Sequence, residues 1–471
     1  MRIYFLMRKT TSRCGCIIAL LVFAATGNAA EPNVSTGISS PSPANQAKRV
    51  INDSGETDVA NSYAEIGPYT GPTVKGVNTQ TLLGKVMCGY QGWFGAPGDG
   101  SLDRGWRHWT KSRGPLADGN AKVDLWPDVS ELSLAERFQT GFKLPDGRPA
   151  EVFSSFQKPT VLTHFKWMQE YGIDGVFVQR FANGLRNQAT LEHDNKVLAN
   201  CREGANLHGR TYAVMYDLSG LSAGRMDEVI NDWRLLRKQM TITQDPAYLY
   251  HRGKPVVAVW GVGFSDRRRY TMDDCRRLIE FLKHDAEAGG CTVMLGVPAH
   301  WRELSNDAVS DPELLNIIAT ADIVSPWTVG RYTNPDGAKR YAENLLKPDE
   351  AWCLSRKIDY LPVVFPGFSW HNMNGGPSAQ IPRLGGQFLW SQFCEAKREN
   401  ASMIYVAMFD EVDEGTAIFK CANDVPAGEQ SRFVTFEGLP NDFYLKLVGK
   451  GAKLIRGDIS LEANKNPSVD F

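Results

Sequence analysis

Short apolar runs alternate with amphipathic stretches from Leu83 almost to the end of the chain. Apolar runs of four to eight residues bounded by polar turns predict buried strands, whereas longer stretches with a period of 3.6 predict helices. Eight runs of the first kind occur in order along the chain. They are KVMCGY, IDGVFVQ, TYAVMYDL, PVVAVWGV, CTVMLGV, DIVSPW, YLPVVF and SMIYVAMF.

A predicted helix follows each of these strands, and the last helix is the stretch over 442–455. The helix over 160–171 should end at Gly172, because glycine favours the left-handed C-cap. Eight alternating strands and helices predict an α/β fold, a single (β/α)8 TIM barrel with long rim loops. The alternative, an open doubly wound sheet, is disfavoured because QGWFGAPGDG after the first strand lacks the G-x-G-x-x-G pattern.

The beginning of the chain differs in composition from the barrel. Residues 1–30 carry early basic residues, the apolar run CIIALLVFAA and a small-residue end, which predicts a secretory signal peptide. An uncleaved anchor is the alternative, but no stop-transfer pattern follows. Residues 31–75 are rich in Ser, Pro, Asn and Gly and predict a flexible linker that is dispensable for folding and activity. We expect export to the periplasm or the extracellular space, with no further membrane span.

The predicted domain order is therefore a signal peptide at 1–30, a linker at 31–75, a barrel at 76–460 and a tail at 461–471. The net charge of −1 gives no electrostatic basis for binding nucleic acid. Of nine cysteines, two fall in the predicted signal peptide, and the odd remainder leaves at least one thiol without an intramolecular partner. One or two disulfides are compatible with export, and their pairing stays open. We expect a monomer.

In a parallel barrel the C-terminal strand ends form one rim, where functional side chains gather. A single Trp there more often packs in the core, and a single His is more often a hydrogen-bonded part of the scaffold. Taken together, aromatic residues from most strands are typical of a carbohydrate cleft, since flat rings stack on sugars. The predicted substrate-binding residues are Tyr90, Trp93, Trp126, Arg180, Asp217, Trp260, Trp327, Trp370 and His371.

The strongest chemical signal is an acidic cluster directly after the eighth strand. Asp410, Glu411, Asp413 and Glu414 lie within five residues, next to the almost wholly apolar run SMIYVAMF. Such a cluster is ordinarily a solvated charge run. At a buried strand end, however, repulsion and desolvation keep one carboxyl protonated while its neighbour is ionised. Glycoside cleavage requires a pair of this kind.

Other chemistries find little support in the sequence. No H-E-x-x-H, P-loop or EF-hand pattern occurs. A divalent cation held by the acidic cluster is the remaining alternative, because hard cations favour carboxylates. We predict no metal and no cofactor.

At this point the sequence resembles the bacterial glycoside hydrolase 71/99-like proteins, some of which are labelled xylosidase/arabinosidase. The resemblance covers nearly all of residues 83–460. Its carriers are VMCGYQGWF at 86–94, RGWRHW at 104–109, VDLWPDVSEL at 123–132, HFKWMQEYGIDGVFVQRF at 164–181, VMYDLSG at 214–220, KPVVAVWGVGF at 254–264, ADIVSPWTVGR at 321–331 and FDEVDEGTAIFK at 409–420.

More distantly, the chain is similar to family 99, the endo-α-mannosidases and endo-α-mannanases, which are metal-independent retaining barrels. The family motif E-W-H-E-G-T falls on residues 411–416, where both glutamates match and Val412-Asp413 replaces Trp-His. Asp410 stands where the family has Asn. The resemblance implies that Glu411 deprotonates the 2-hydroxyl of the substrate and that Glu414 is the general acid/base. Asp410 and Asp413 are further substrate-binding candidates, and either could share the catalytic role.

We therefore predict an exported glycoside hydrolase acting on an oligo- or polysaccharide. An α-mannoside is one candidate substrate, and xylan or arabinan side chains are the other. The alternative from a different functional class is a non-catalytic carbohydrate-binding barrel at the cell surface. The pair Glu411 and Glu414 distinguishes the two hypotheses, because simple sugar binding needs no such pair.

Overall fold

The computed structural model describes Tyr63 and residues 66–462. The predicted signal peptide, most of the predicted linker and residues 463–471 lie outside the described residues. No helix in the described part is long and apolar enough to cross a membrane.

Parallel strands form one curled sheet, and the predicted TIM barrel is confirmed. The sheet order places the first predicted strand between the second and the eighth, as barrel closure requires. The strands of the barrel are β1 (Val86–Tyr90), β4 (Gly175–Phe181), β5 (Thr211–Asp217), β7 (Lys254–Trp260), β8 (Thr292–Pro298), β9 (Ile323–Trp327), β10 (Asp359–Tyr360), β11 (Val363–Val364) and β12 (Ile404–Val406).

The seventh predicted strand closes the ring in two short segments, β10 and β11. β10 pairs with β9, while β11 pairs with β12 on the other side. Between the two segments, Leu361 N donates to Val324 O at 2.9 Å, and Pro362 O accepts from Tyr405 N at 2.9 Å. The two ends of the sheet therefore meet in one continuous stretch of chain.

Helices surround the barrel at the predicted places, and Gly172 ends the first of them in the left-handed conformation with φ 74°. The helices are α1 (Lys158–Tyr171), α2 (Gln188–His208), α3 (Met226–Leu235), α4 (Met272–His284), α5 (Glu313–Ile318), α6 (Pro335–Tyr341), α7 (Lys347–Ser355), α8 (His371–Asn374), α9 (Gln387–Arg398) and α10 (Phe443–Arg456). The sequence did not predict the antiparallel hairpin of β2 (Phe138–Lys143) and β3 (Pro149–Val152), nor the short β6 (Tyr250–His251), which pairs with β7.

Side chains fill the inside of the barrel. Gln179 on β4 donates to the Tyr405 hydroxyl at 3.2 Å, and Phe177 stacks on the Tyr405 ring. At Gly89 a Cβ atom would lie 2.1 Å from both the Tyr405 hydroxyl and the Met408 methyl, so a side chain at this position on β1 would displace both groups. The barrel interior is consequently a packed core beneath the rim.

The packed part of the chain begins before Gly76, which moves the predicted linker boundary towards the N-terminus. Tyr63 and Ile66 are 2% and 5% exposed. The Tyr63 hydroxyl donates to Asp232, and Val74 N donates to Asn206 O at 2.9 Å. These contacts attach the end of the predicted linker to α2 and α3.

A chain that begins at Gly76 should therefore be less stable than one that begins at Ser62. The shorter chain lacks Tyr63 and Ile66, whose apolar burial contributes about 1.5–3 kcal/mol for each large side chain. Thermal unfolding of the two chains measures the difference. Equal melting temperatures would show that the segment contributes nothing, as the sequence alone had led us to expect.

The seven cysteines in the described residues are all buried, and none forms a disulfide. Burial raises the pKa of each of these thiols, so they remain protonated. In this part of the chain the structure holds no disulfide of the kind that export would allow.

Candidate active site

The segment that follows β12 folds back on itself and carries the four acidic residues. Ile418 N donates to Met408 O at 3.1 Å, and Phe419 N donates to Phe409 O at 3.0 Å. These bonds hold residues 408–419 as a compact turn at the C-terminal end of the barrel. This turn also explains why β12 is shorter than the predicted strand SMIYVAMF.

Asp410 joins this turn to the loop after β1. Its two carboxylate oxygens accept from Gln91 N at 2.7 Å and from Gly92 N at 2.8 Å. Its side chain is fully buried, and desolvation raises its pKa to about 7 in spite of these donors. Asp410 thus ties two backbone segments together and faces away from solvent.

Glu411 is 3% exposed and accepts two side-chain hydrogen bonds. Gln91 Nε2 donates to one carboxylate oxygen at 3.0 Å, and the Thr416 hydroxyl donates to the other at 3.0 Å. Burial, followed by the neighbouring charges of Glu414 and Asp413, raises its pKa well above the usual range. The two donors oppose this shift because they stabilise the carboxylate form.

Glu414 is the member of the pair that reaches solvent, since its side chain is partly exposed. Among the described residues, none donates a hydrogen bond to its carboxyl group. Burial, followed by the charge of Asp413, raises its pKa to about 8. The group therefore holds its proton at neutral pH.

The backbone at Glu414 is fixed by a turn that requires glycine. Gly415 has φ 63°, and a Cβ atom there would lie 3.1 Å from the backbone nitrogen of Ser369. Ser369 N donates to Glu414 O at 2.9 Å, and the buried Arg383 donates to Gly415 O at 2.9 Å. The backbone that carries the Glu414 side chain is thus held by Ser369 in the loop after β11 and by Arg383.

Asp124 holds the backbone of the loop after β11 through hydrogen bonds. It is fully buried and accepts from His371 N at 2.7 Å and from Asn372 N at 2.8 Å. Asp124 N in turn donates to Val412 O at 2.9 Å. One residue of the long segment after β1 therefore positions both the acidic turn and the His371 backbone.

Asp413 lies against a basic group. Lys122 Nζ is 3.3 Å from one Asp413 oxygen and 3.1 Å from His108 Nδ1. Burial favours the neutral form of Asp413, but the charge of Lys122 outweighs it and lowers the pKa of this carboxyl group. Asp413 is thus the ionised neighbour of Glu414.

Trp93 and Trp370 are partly exposed beside this cluster. Trp93 stacks on His108 with ring centroids 4.1 Å apart and lies nearly parallel to Phe181 at 5.2 Å. Trp370 contacts Phe368 edge to face at 5.9 Å, and Nδ1 of the partly exposed His371 beside it donates to Gly376 O at 2.5 Å. Sugar binding by Trp93, Trp370 and His371 stays a prediction.

On the opposite part of the rim, Trp260 and Trp327 meet edge to face with centroids 5.4 Å apart. Trp327 also contacts Tyr405, and Trp260 lies under the Arg268 guanidinium at 5.1 Å. Asp217 accepts from Ser219 N at 2.7 Å, and burial raises its pKa. These side chains lie at the rim ends of β5, β7 and β9, as the sequence predicted, and their contact with substrate stays a prediction.

Three predicted binding residues outside the acidic turn are buried in the protein interior, as Asp410 and Asp413 are within it. Tyr90 is fully buried, and its hydroxyl is 2.9 Å from His164 Nδ1. Arg180 is 2% exposed and forms an ion pair with Asp232 between α2 and α3. Trp126 is 2% exposed, and its Nε1 donates to Glu151 O at 3.1 Å. Their observed contacts are all with protein groups, which indicates a role in packing.

Several residues that complete the site were not among the predicted site residues. They are Gln91, His108, Lys122, Asp124 and Thr416. Gln91 and Thr416 lie within motifs that flank the predicted residues. Nothing in the local pattern around Lys122 indicates that it meets an acid almost three hundred positions later.

Among the described residues, no group of three or more His, Cys, Asp or Glu side chains is arranged to hold a metal ion. The acidic turn shows why, since its carboxylates point to different partners. Asp410 binds backbone amides, Glu411 binds Gln91 and Thr416, and Asp413 pairs with Lys122.

Comparison with known proteins gives a likeness in fold alone. No family model matches the sequence, and no curated protein is similar to it. The structure of the GH99 endo-alpha-mannosidase from Bacteroides thetaiotaomicron is similar at TM-score 0.58 and 15% identity, covering 80% of this chain and 99% of that one. A structure of a GH99 endo-alpha-mannosidase in complex with BIS-TRIS-Propane is similar at TM-score 0.57 and 15% identity, with the same coverage. The chain thus has a GH99-like barrel fold.

Proposed function

We propose that this protein is an exported glycoside hydrolase that cleaves an oligo- or polysaccharide with retention of anomeric configuration. The observation that carries the proposal is the pair Glu411 and Glu414 on one turn at the C-terminal rim, in two different environments. Glu411 is buried and held by two donors, whereas Glu414 is partly exposed and lacks them.

The two carboxyl groups divide the chemistry between them. Burial raises the pKa of both carboxyl groups, so the two are not ionised together at neutral pH. We assign the negative charge to Glu411, because Gln91 and Thr416 donate to its carboxylate form, and the proton to Glu414, which has no such donors. Glu414 can therefore protonate the leaving oxygen, which is the requirement for a general acid.

We infer the remaining steps from the same division of roles. Glu411 accepts the proton of the substrate 2-hydroxyl, and that oxygen attacks the anomeric carbon as the leaving group departs with the Glu414 proton. The deprotonated Glu414 then accepts a proton from water, whose oxygen attacks the anomeric carbon and opens the cyclic sugar intermediate. Glu411 returns its proton to the 2-oxygen in the same step, so both carboxyl groups regain their starting states. Two displacements at one carbon give net retention.

The fold supports an α-mannoside as the first substrate class to test, because the similar solved structures are endo-alpha-mannosidases. Purified protein should be incubated with α-mannans, arabinans and xylans, and released sugars measured. Binding without release on every substrate would instead support a non-catalytic carbohydrate-binding barrel. NMR of the first product should show the retained anomer, and an inverted product would exclude the two-step route.

A further inference from the structure

Lys122 makes three contacts at the base of the acidic turn. Its ammonium group is 3.3 Å from Asp413 Oδ2, 3.1 Å from His108 Nδ1 and 5.6 Å from the centroid of the Trp93 ring. An ammonium group is only a donor, so His108 Nδ1 is the acceptor and the imidazole is neutral. Burial and Lys122 lower the pKa of His108 to about 3, in agreement with this assignment.

Lys122 is therefore the cation of the cluster, and Asp413 is its counter-ion. The Asp413 side chain is 1% exposed, and its second oxygen, Oδ1, has no hydrogen-bond partner among the described residues. A buried carboxylate with one unpartnered oxygen depends on its cation, because an isolated buried charge is costly.

The position next in the chain is Glu414, the proposed general acid. The charges that act on its carboxyl group are Glu411 and Asp413 on its own turn and Lys122 from the loop after β1. His108 lies beside Lys122 and Asp413, and Arg383 donates to Gly415 O, the next carbonyl along the chain.

We propose that Lys122 and Asp413 are positioning residues that set the protonation state of Glu414. Lys122 holds Asp413 as a carboxylate, and the fixed negative charge of Asp413 keeps the proton on the adjacent Glu414. The role of this arrangement in catalysis rests on the proposed function. The effect of Lys122 and Asp413 on the pKa of Glu414 does not.

Two substitutions, made one after the other, should shift the pKa of Glu414 in opposite directions. Asp413 raises the pKa of Glu414, and Lys122 lowers it. Asp413→Asn removes the repulsion and leaves Lys122 unpaired, so the pKa of Glu414 should fall. Adding Lys122→Met removes the remaining attraction, so the pKa should rise again towards its original value. If Lys122 and Asp413 only stabilise the fold, the double variant should instead be less stable than Asp413→Asn.

The titration of Glu414 can be measured without a substrate. The free energy of unfolding is compared between the protein and its Glu414→Gln variant from pH 4 to pH 9, in each background. Because the pKa of Glu414 is raised on folding, its carboxyl group costs stability increasingly as pH rises from the unfolded pKa near 4.5 to the folded pKa near 8. The pH at which this cost stops growing is the folded pKa.

We expect that upper pH to fall by about one unit or more in Asp413→Asn and to recover by about half in the double variant. An unchanged value in Asp413→Asn, or no recovery in the double variant, would overturn the proposal. If Asp413→Asn does not fold, Lys122→Gln tests the same idea, because Asp413 should then take up one extra proton on folding near neutral pH. No extra proton in that variant would overturn it equally.

The outcome is separable from that of the proposed function. These measurements use unfolding alone and stand even if no glycan is hydrolysed. If hydrolysis is found, the alkaline limb of kcat/KM should move in the same order as the folded pKa of Glu414.

Discussion

Replacing Glu414 by Gln should lower the rate of glycan hydrolysis by about 10²–10⁴-fold, because a positioned general acid contributes this much. Gln has nearly the same shape and cannot release a proton to the leaving oxygen. Glu411→Gln should cause a loss of similar size, since the amide cannot accept the proton of the attacking hydroxyl. Initial rates on the best substrate of the panel measure both effects.

The stability of these variants provides the control. The pKa of Glu414 is raised from 4.5 to about 8 on folding, so the folded protein binds more protons than the unfolded chain between these values. Stability is therefore lost as pH rises through this window. Glu414→Gln should remove the loss and melt at pH 8 no lower than the parent protein.

A Gln variant that is inactive because it unfolds would leave the assignment open, but the melting curve identifies that case. Full activity of Glu414→Gln in a folded protein would remove Glu414 from the mechanism. The same result for Glu411→Gln would point to Asp410 or Asp413 as the second carboxylate.

Trp126→Ala should destabilise the protein by roughly 3–5 kcal/mol, the range for removal of a buried Trp. Its ring packs edge to face against Phe142 and Phe433, and its Nε1 bond to Glu151 O joins β3. Truncation leaves a cavity and an unsatisfied carbonyl group. Urea unfolding of the variant and the parent protein measures the loss.

Trp370→Ala is the matched comparison, because this Trp is partly exposed at the rim. Its loss of stability should not exceed about 1 kcal/mol. If Trp370 binds sugar, affinity for the substrate should fall in this variant while the fold is kept. Equal destabilisation by the two substitutions would contradict the distinction between core and rim.

The barrel could be predicted because each strand is an uninterrupted apolar run with a helix after it. The division of the seventh strand could not, since Leu361-Pro362 reads as part of the run YLPVVF. Proline has no N–H to donate to a neighbouring strand, so the ladder breaks there while the chain continues. The hairpin of β2 and β3 was missed because QTGFK and PAEV are short and weakly apolar.

Side-chain direction limits how far a strand end predicts a site. Successive residues of a strand point to opposite faces, so Gln179 faces Tyr405 inside the barrel and Arg180 faces the helices outside. The sequence placed Arg180 at the rim because it lies at the end of the strand. The residues of the acidic cluster leave the strand in a turn and no longer alternate, so this limit does not apply to them.

The contact between Lys122 and Asp413 illustrates what a single sequence conceals. Lys122 lies in a loop whose course depends on the hairpin and on Asp124, and both were unknown from the pattern. Long-range pairing of this kind requires the three-dimensional path of the rim loops, which carry little periodicity.

Because the cysteines are buried, the rate at which they react with a thiol reagent reports how often the protein opens around them. A thiol reagent reacts with a cysteine in this structure only while the surrounding elements separate from it. Because the thiols are spread over β1, α2, α4, α7, α9 and the loops before β8 and after the acidic turn, their labelling rates map the barrel region by region. Labelling of all the thiols at the same rate would indicate one cooperative unfolding transition, whereas faster labelling at one helix would indicate local unfolding there.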